Sequence, residues 1–141
     1  MNIVVGSDHA GFELKEHIKK MLKDKGMKVD DQGTYSEESV DYPDYAKKVS
    51  EVVLRGEAVG ILICGTGIGI SMAANRHPGI RAALCENEFT ARMARAHNDA
   101  NILCMGGRVV GTALAESIVN TFLSTSFEGG RHARRVDKIE R

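Results

Sequence analysis

The chain has 141 residues, 43% of them hydrophobic and 27% charged, with 19 basic and 19 acidic side chains and no net charge. That length suits one domain, residues 1–141 with a basic tail from about residue 127. Balanced charge and 5% aromatic content without Trp give no support to nucleic-acid binding, which draws on uncompensated Lys and Arg and on flat stacking side chains. No apolar run approaches the roughly 20 residues of a membrane span.

The opening stretch MNIVVGSDHAGFELKEH carries neither a basic leader nor a small-residue cleavage site. Cys64, Cys85 and Cys104 have no framework spacing. Together these features predict a cytoplasmic protein whose thiols stay free.

In chain order, Asn2 to Val5 reads as a strand broken by Gly6. Phe12 to Lys25 reads as a helix with Leu14, Ile18, Met21 and Leu22 on one face, and Gly26 suits its stop. Lys28 to Asp30 reads as a short strand, and Gln32 to Asp44 as a polar loop. Tyr45 to Arg55 is a second helix, burying Ala46, Val49, Val52 and Val53. Val59 to Cys64 is apolar on both faces, as a buried parallel strand requires. It enters GTGIGIS and a short helix to Arg76. Ile80 to Cys85 is a strand, Glu88 to Ala96 a helix and Asn101 to Met105 a strand. Thr112 to Leu123 is a helix with Leu114, Ile118, Val119 and Phe122 inward. After Gly129 and Gly130 the tail ends in a short helix. Strand and helix alternate throughout, which predicts an α/β fold, a single doubly wound, Rossmann-like domain with a parallel five-stranded sheet covered by helices on both faces.

Ligands in such folds bind at the carboxyl ends of the strands. Those ends carry Ser7-Asp8-His9, Cys64-Gly65-Thr66-Gly67, Cys85-Glu86 and Gly106-Gly107-Arg108. Glycines at 65, 67 and 69 let the backbone turn tightly and aim N–H groups at one point ahead of a helix, which favours an anion. The same glycines also read as a plain strand-to-helix connection. A dinucleotide fingerprint fails, because Ile70 stands where the third glycine belongs. Cys64 reads either as a small buried hydrophobe or as a thiolate stabilised by the turn's amides. His9 and His97, flanked by polar turn residues, suit proton transfer or anion contact as well as a plain surface role. His97-Asn98 precedes the last strand, so it lies away from the strand ends unless a second subunit delivers it. No two histidines show metal-ligand spacing, so no metal is predicted. Arg131 and Arg135 share a helix face, where like charges repel; they read as a phosphate clamp or as a solvated basic tail offset by Asp137 and Glu140, and the residues alone lean to the tail.

The segments SDHAGFELK, DYPDYA, ILICGTGIGISMAANR, HNDANIL, GGRVVG and EGGRHARRV, in order from Val5 to Val136, resemble the B-type ribose-5-phosphate isomerases, a family that also acts on hexose phosphates. The resemblance implies that Cys64 is the base moving a proton between C2 and C1. It implies that Gly65, Thr66, Gly67, Gly69 and Ser71 form the anion hole for an enediolate. It further implies that His97 opens the sugar ring, with His9 and His132 as other candidates, and that Asn98 and Asp8 contact sugar hydroxyls. His9, Arg131 and Arg135 become the phosphate clamp, with Arg108 nearby. No cofactor is implied. The partners implied are a sugar phosphate and a second copy of the chain, in a homodimer or tetramer with sites at the interface. Two other readings stay open: a galactose- or allose-6-phosphate isomerase, and a non-catalytic phospho-ligand or nucleotide-binding module.

Overall fold

The computed structural model describes residues 2–56 and 58–140. Five parallel strands form one sheet in the order β2-β1-β3-β5-β4. They are β1 (Asn2–Ser7), β2 (Lys28–Asp31), β3 (Ala58–Cys64), β4 (Ala82–Leu84) and β5 (Ile102–Gly106). The helices are α1 (Phe12–Asp24), α2 (Tyr42–Leu54), α3 (Ile68–Ala74), α4 (Glu88–Ala96), α5 (Thr112–Ser124) and α6 (Arg131–Ile139). A single 3₁₀ turn, His9–Gly11, joins β1 to α1.

Alternation along the three inner strands builds two cores. Ile3, Val5, Ile61, Ile63, Leu103 and Met105 pack with the apolar stripes of α1, α4 and α5. Val4, Leu62, Cys64, Ile102 and Cys104 pack with Ala46, Val49 and Val53 of α2 and with Ile70 and Ala74 of α3. The predicted α/β architecture is therefore the observed one, buried on both faces of its sheet.

Differences from the sequence reading are local. Helix α2 begins at Tyr42 rather than Tyr45; Pro43 sits in its first turn, where a missing N–H costs nothing. Strand β4 is trimmed to Ala82–Leu84, because the Ile80 N–H is held by the His77 carbonyl in a turn and the Arg81 N–H by the Asn101 side chain. Cys104 lies in mid-strand, not at a strand end, and Cys85 lies one residue beyond β4. Leu114 is 37% exposed, with Ala115 taking the inward position.

The order of the strands reverses around β1. The chain runs from β1 outward to β2, then crosses back to place β3 on β1's other side. That switch leaves a crevice between the carboxyl ends of β1 and β3, where ligands bind in this architecture.

Candidate functional site

Cys64 is the last residue of β3 and only 4% exposed. The backbone N–H of Gly67 donates to its Sγ at 3.1 Å, so the glycine turn closes over the sulfur itself. Gly67 can do this because its φ is +81°, a conformation that glycine adopts without strain. The turn is braced from outside: the Thr66 hydroxyl accepts from the Ile68 N–H at 3.2 Å, and the Ser71 hydroxyl donates to the Ile68 carbonyl at 2.7 Å. Burial pushes the thiols of Cys85 and Cys104 up, Cys104 well above its ordinary value. Those two are core residues; Cys64 differs in meeting an amide.

The rim of the crevice is assembled from neighbouring strand ends. Asp8 is nearly buried, and its Oδ1 accepts from the Ala10 and Gly11 N–H groups at 3.0 and 3.1 Å. This fixes the carboxylate at the head of the 3₁₀ turn. The Val40 N–H donates to His9 Nδ1 at 3.2 Å, so a neutral His9 ring carries its proton on Nε2 and presents a donor there. Arg108 is exposed, and its guanidinium lies over Gly65, where an added Cβ would stand 3.4 Å from its Nη1. Tyr42, at the start of α2, covers Gly69: a Cβ there would meet its ring at 2.6–2.9 Å. Tyr42 was not a sequence candidate, since only its place opposite a glycine marks it.

Asp8, His9, Cys64, Gly65, Thr66, Gly67, Gly69, Ser71 and Arg108 thus share the crevice edge, whereas His97, Asn98, Arg131 and Arg135 do not. His97 follows α4 and precedes β5, at the opposite sheet edge. At about 3.3 Å per residue, the four steps along β5 already separate the edges by about 13 Å. There His97 stacks on His132, ring centroids 4.1 Å apart and planes 8° from parallel. Glu128 Oε1 lies 3.8 Å from His97 Nε2 and 3.4 Å from His132 Nε2. Burial, with His97 and Arg131 nearby, holds the His132 imidazole below its ordinary value despite Glu128. These three residues are the cluster among the described residues whose donor atoms could hold a metal ion. Glu128 and His132 stand four apart, but His97 is far from both in sequence, so spacing gave no sign of the three together. Arg131 and Arg135 are exposed one helical turn apart on α6, with no acidic partner within ion-pair distance among the described residues.

Residues 3–139 match the family described as Ribose/Galactose Isomerase. The chain is 51% identical to ribose-5-phosphate isomerase B of Escherichia coli (strain K12), across 97% of this chain and 93% of that one. The fold superposes on the ribose-5-phosphate isomerase B of Clostridium thermocellum with a TM-score of 0.98 at 59% identity, covering 99% of this chain and 95% of the other. The Mycoplasma genitalium enzyme with bound ribulose-5-phosphate gives a TM-score of 0.94 at 48% identity, covering 99% and 94%.

Proposed function

The chain belongs to the ribose/galactose isomerase family, and from that premise we propose that it interconverts ribose 5-phosphate and ribulose 5-phosphate through a cis-enediolate. It is an isomerase, and the relatives it matches over nearly their whole length include ones that bear the ribose-5-phosphate isomerase B name. The observation that carries the mechanism is the Gly67 N–H on Cys64 Sγ. This N–H is placed to donate to sulfur while the sulfur acts as the base.

In that mechanism the Cys64 thiolate removes the proton from C2 of the open-chain aldose. The C–H electron pair becomes the C1–C2 double bond, and the carbonyl pair moves onto O1. The amides of the 65–69 turn that are not already engaged, with the Thr66 hydroxyl, serve the charge that develops on oxygen, while Ser71, whose hydroxyl donates to the Ile68 carbonyl, holds the turn in shape. The thiol then returns its proton to C1 as the O2 hydroxyl becomes the C2 carbonyl and its proton passes to O1. Atoms and charge balance without a cofactor. Asp8 orients sugar hydroxyls, and the Nε2–H of His9 faces the phosphate.

Ring opening and phosphate anchoring fall to His97, Asn98, Arg131 and Arg135, which lie about 13 Å or more from Cys64 along β5. A second copy supplies them. The crevice rim supports this reading: Ile68, Met72, Phe89 and Val109 are 47–65% exposed there, an apolar surface of the kind that marks a protein–protein contact. Remote phosphate binding then holds the flexible open-chain sugar in line with Cys64. Among the described residues no helix is long and apolar enough to cross a membrane, and three free cysteines suit a reducing cytoplasm.

Turnover in deuterated water tests the reaction. Label is expected at C2 of ribose 5-phosphate and C1 of ribulose 5-phosphate, and Cys64→Ala is expected to bind substrate yet exchange nothing. Isomerisation without solvent label, or a Cys64→Ala variant near the wild-type rate, overturns the thiolate mechanism. Comparing turnover on pentose 5-phosphates and hexose 6-phosphates separates ribose from galactose or allose substrates.

A further inference from the structure

We propose that His97, Glu128 and His132 form a binding site for zinc, one ion per chain, at the sheet edge opposite the Cys64 crevice. Two imidazoles and a carboxylate are a donor set that zinc accepts, and three protein ligands leave its fourth position for water. Their donor atoms lie within 4.8 Å of one another. His132 is 93% buried, and its Nε2 has no hydrogen-bond partner although Glu128 is 3.4 Å away. A buried, unpartnered nitrogen directed at a carboxylate and a second imidazole is costly unless something occupies the gap.

The backbone holds the ligands in place without an ion. The His97 N–H closes the end of α4 on the Met93 carbonyl, and the Glu128 N–H bonds the Ala96 carbonyl at 3.0 Å. His132 is fixed in the first turn of α6, its N–H on the Gly129 carbonyl. Only side-chain rotation separates the stack from a metal geometry. Parallel rings send their lone pairs side by side, whereas zinc–nitrogen bonds of about 2.0–2.1 Å converge with nitrogens about 3.4 Å apart. Turning His97, which is 37% exposed, toward Glu128 achieves this. Arg131 beside His132 disfavours a cation, so the Glu128 charge carries much of the site's affinity.

Occupancy would take the Nε2 of His97, and this consequence alone rests on His97 opening the ring. Zinc then slows conversion of ribose 5-phosphate. Ribulose 5-phosphate has its C5 oxygen esterified and cannot close a furanose, so its initial turnover survives.

The experiment titrates zinc calorimetrically into the full-length protein after chelator treatment, with cobalt(II) absorption as a second readout. One site per chain is expected, with a tetrahedral cobalt spectrum, no thiolate charge-transfer band and full retention in Cys64→Ala. Even outer partners of metal ligands are worth about 10–100-fold in affinity, so Glu128→Gln is expected to weaken binding by about tenfold or more while melting like wild type. Zinc binding that is undiminished in both Glu128→Gln and His132→Gln, lost in Cys64→Ala, or unsaturable below about 1 mM overturns the site. Saturable binding that inhibits neither direction supports the site and counts against His97 as the ring opener.

Discussion

At Gly67 one backbone angle sets the distance between an amide and a sulfur. A Cβ there would approach Leu84 Cδ1 to 2.5 Å and the Met105 carbonyl carbon to 2.8 Å, and the left-handed backbone adds about 1–2 kcal/mol for any L side chain. Gly67→Ala is therefore expected to lower the urea midpoint and to abolish turnover, since the turn can relieve the clash only by moving the N–H away from Cys64. A variant with wild-type kcat would mean that this amide is dispensable. Gly69→Ala is milder: it meets the Tyr42 ring, which is 39% exposed and free to swing outward. Its expected effect is a higher KM with near-normal stability. The sequence carried the first of these residues openly, because glycines after a buried strand leave few other interpretations. It carried nothing of Tyr42, whose role depends on how α2 crosses α3.

Between elements, the most telling contact is one that periodicity misassigns. Lys15 falls among the charged positions of α1, yet it is 1% exposed, its Nζ 2.7 Å from both Asp31 oxygens and 5.5 Å from the Phe12 and Tyr35 ring centres. Asp31 also accepts from Lys19 and from the Gly33 N–H, tying α1 to the end of β2 and to the strand-end loop. Burial alone would raise the Asp31 carboxyl; hydrogen bonds from Lys15 and Lys19 outweigh it and hold the group below its ordinary value. A carboxyl depressed in the folded state contributes stability that is present above its unfolded value, about 3.9, and lost as pH falls through the folded one. Stability measured against pH should fall on acidification, and Asp31→Asn should lose that part of the slope. At neutral pH the same substitution leaves the buried Lys15 ammonium with Glu16, 3.5 Å away, as its remaining carboxylate and should cost up to about 3 kcal/mol. An unchanged melting curve would show that the ammonium finds another partner. Helix and strand identities were legible because the apolar spacing is regular. The start of α2 was not, because a first-turn proline and a loop proline look alike without the chain around them.

For the molecule as a whole, the proposed function requires two clusters on opposite edges of one sheet to serve one small substrate. The crevice holds Cys64, the proposed proton carrier, and the glycine turn proposed to receive negative charge. The α4–α6 corner holds His97 and two arginines one turn apart, without acidic partners among the described residues. The sequence placed His97 correctly on the far side of its strand, but it could not measure the gap, which depends on the length of β5. In the proposed two-fold dimer each chain would lend its corner to the other's crevice. The consequence can be counted. On the proposed roles, a Cys64→Ala chain lacks the proton carrier and a His97→Asn chain the ring opener, so neither homodimer should convert ribose 5-phosphate. In a mixed dimer one crevice has both defects and the other has neither. Random reassociation makes about half the dimers mixed, so co-refolding equal amounts should restore about a quarter of wild-type turnover. If His97 served the Cys64 of its own chain, every site in every combination would carry one defect and the mixture would stay silent. The Arg131→Ala chain extends the test. Mixed with Cys64→Ala, it should restore activity at the wild-type KM, because the surviving crevice again borrows an intact corner.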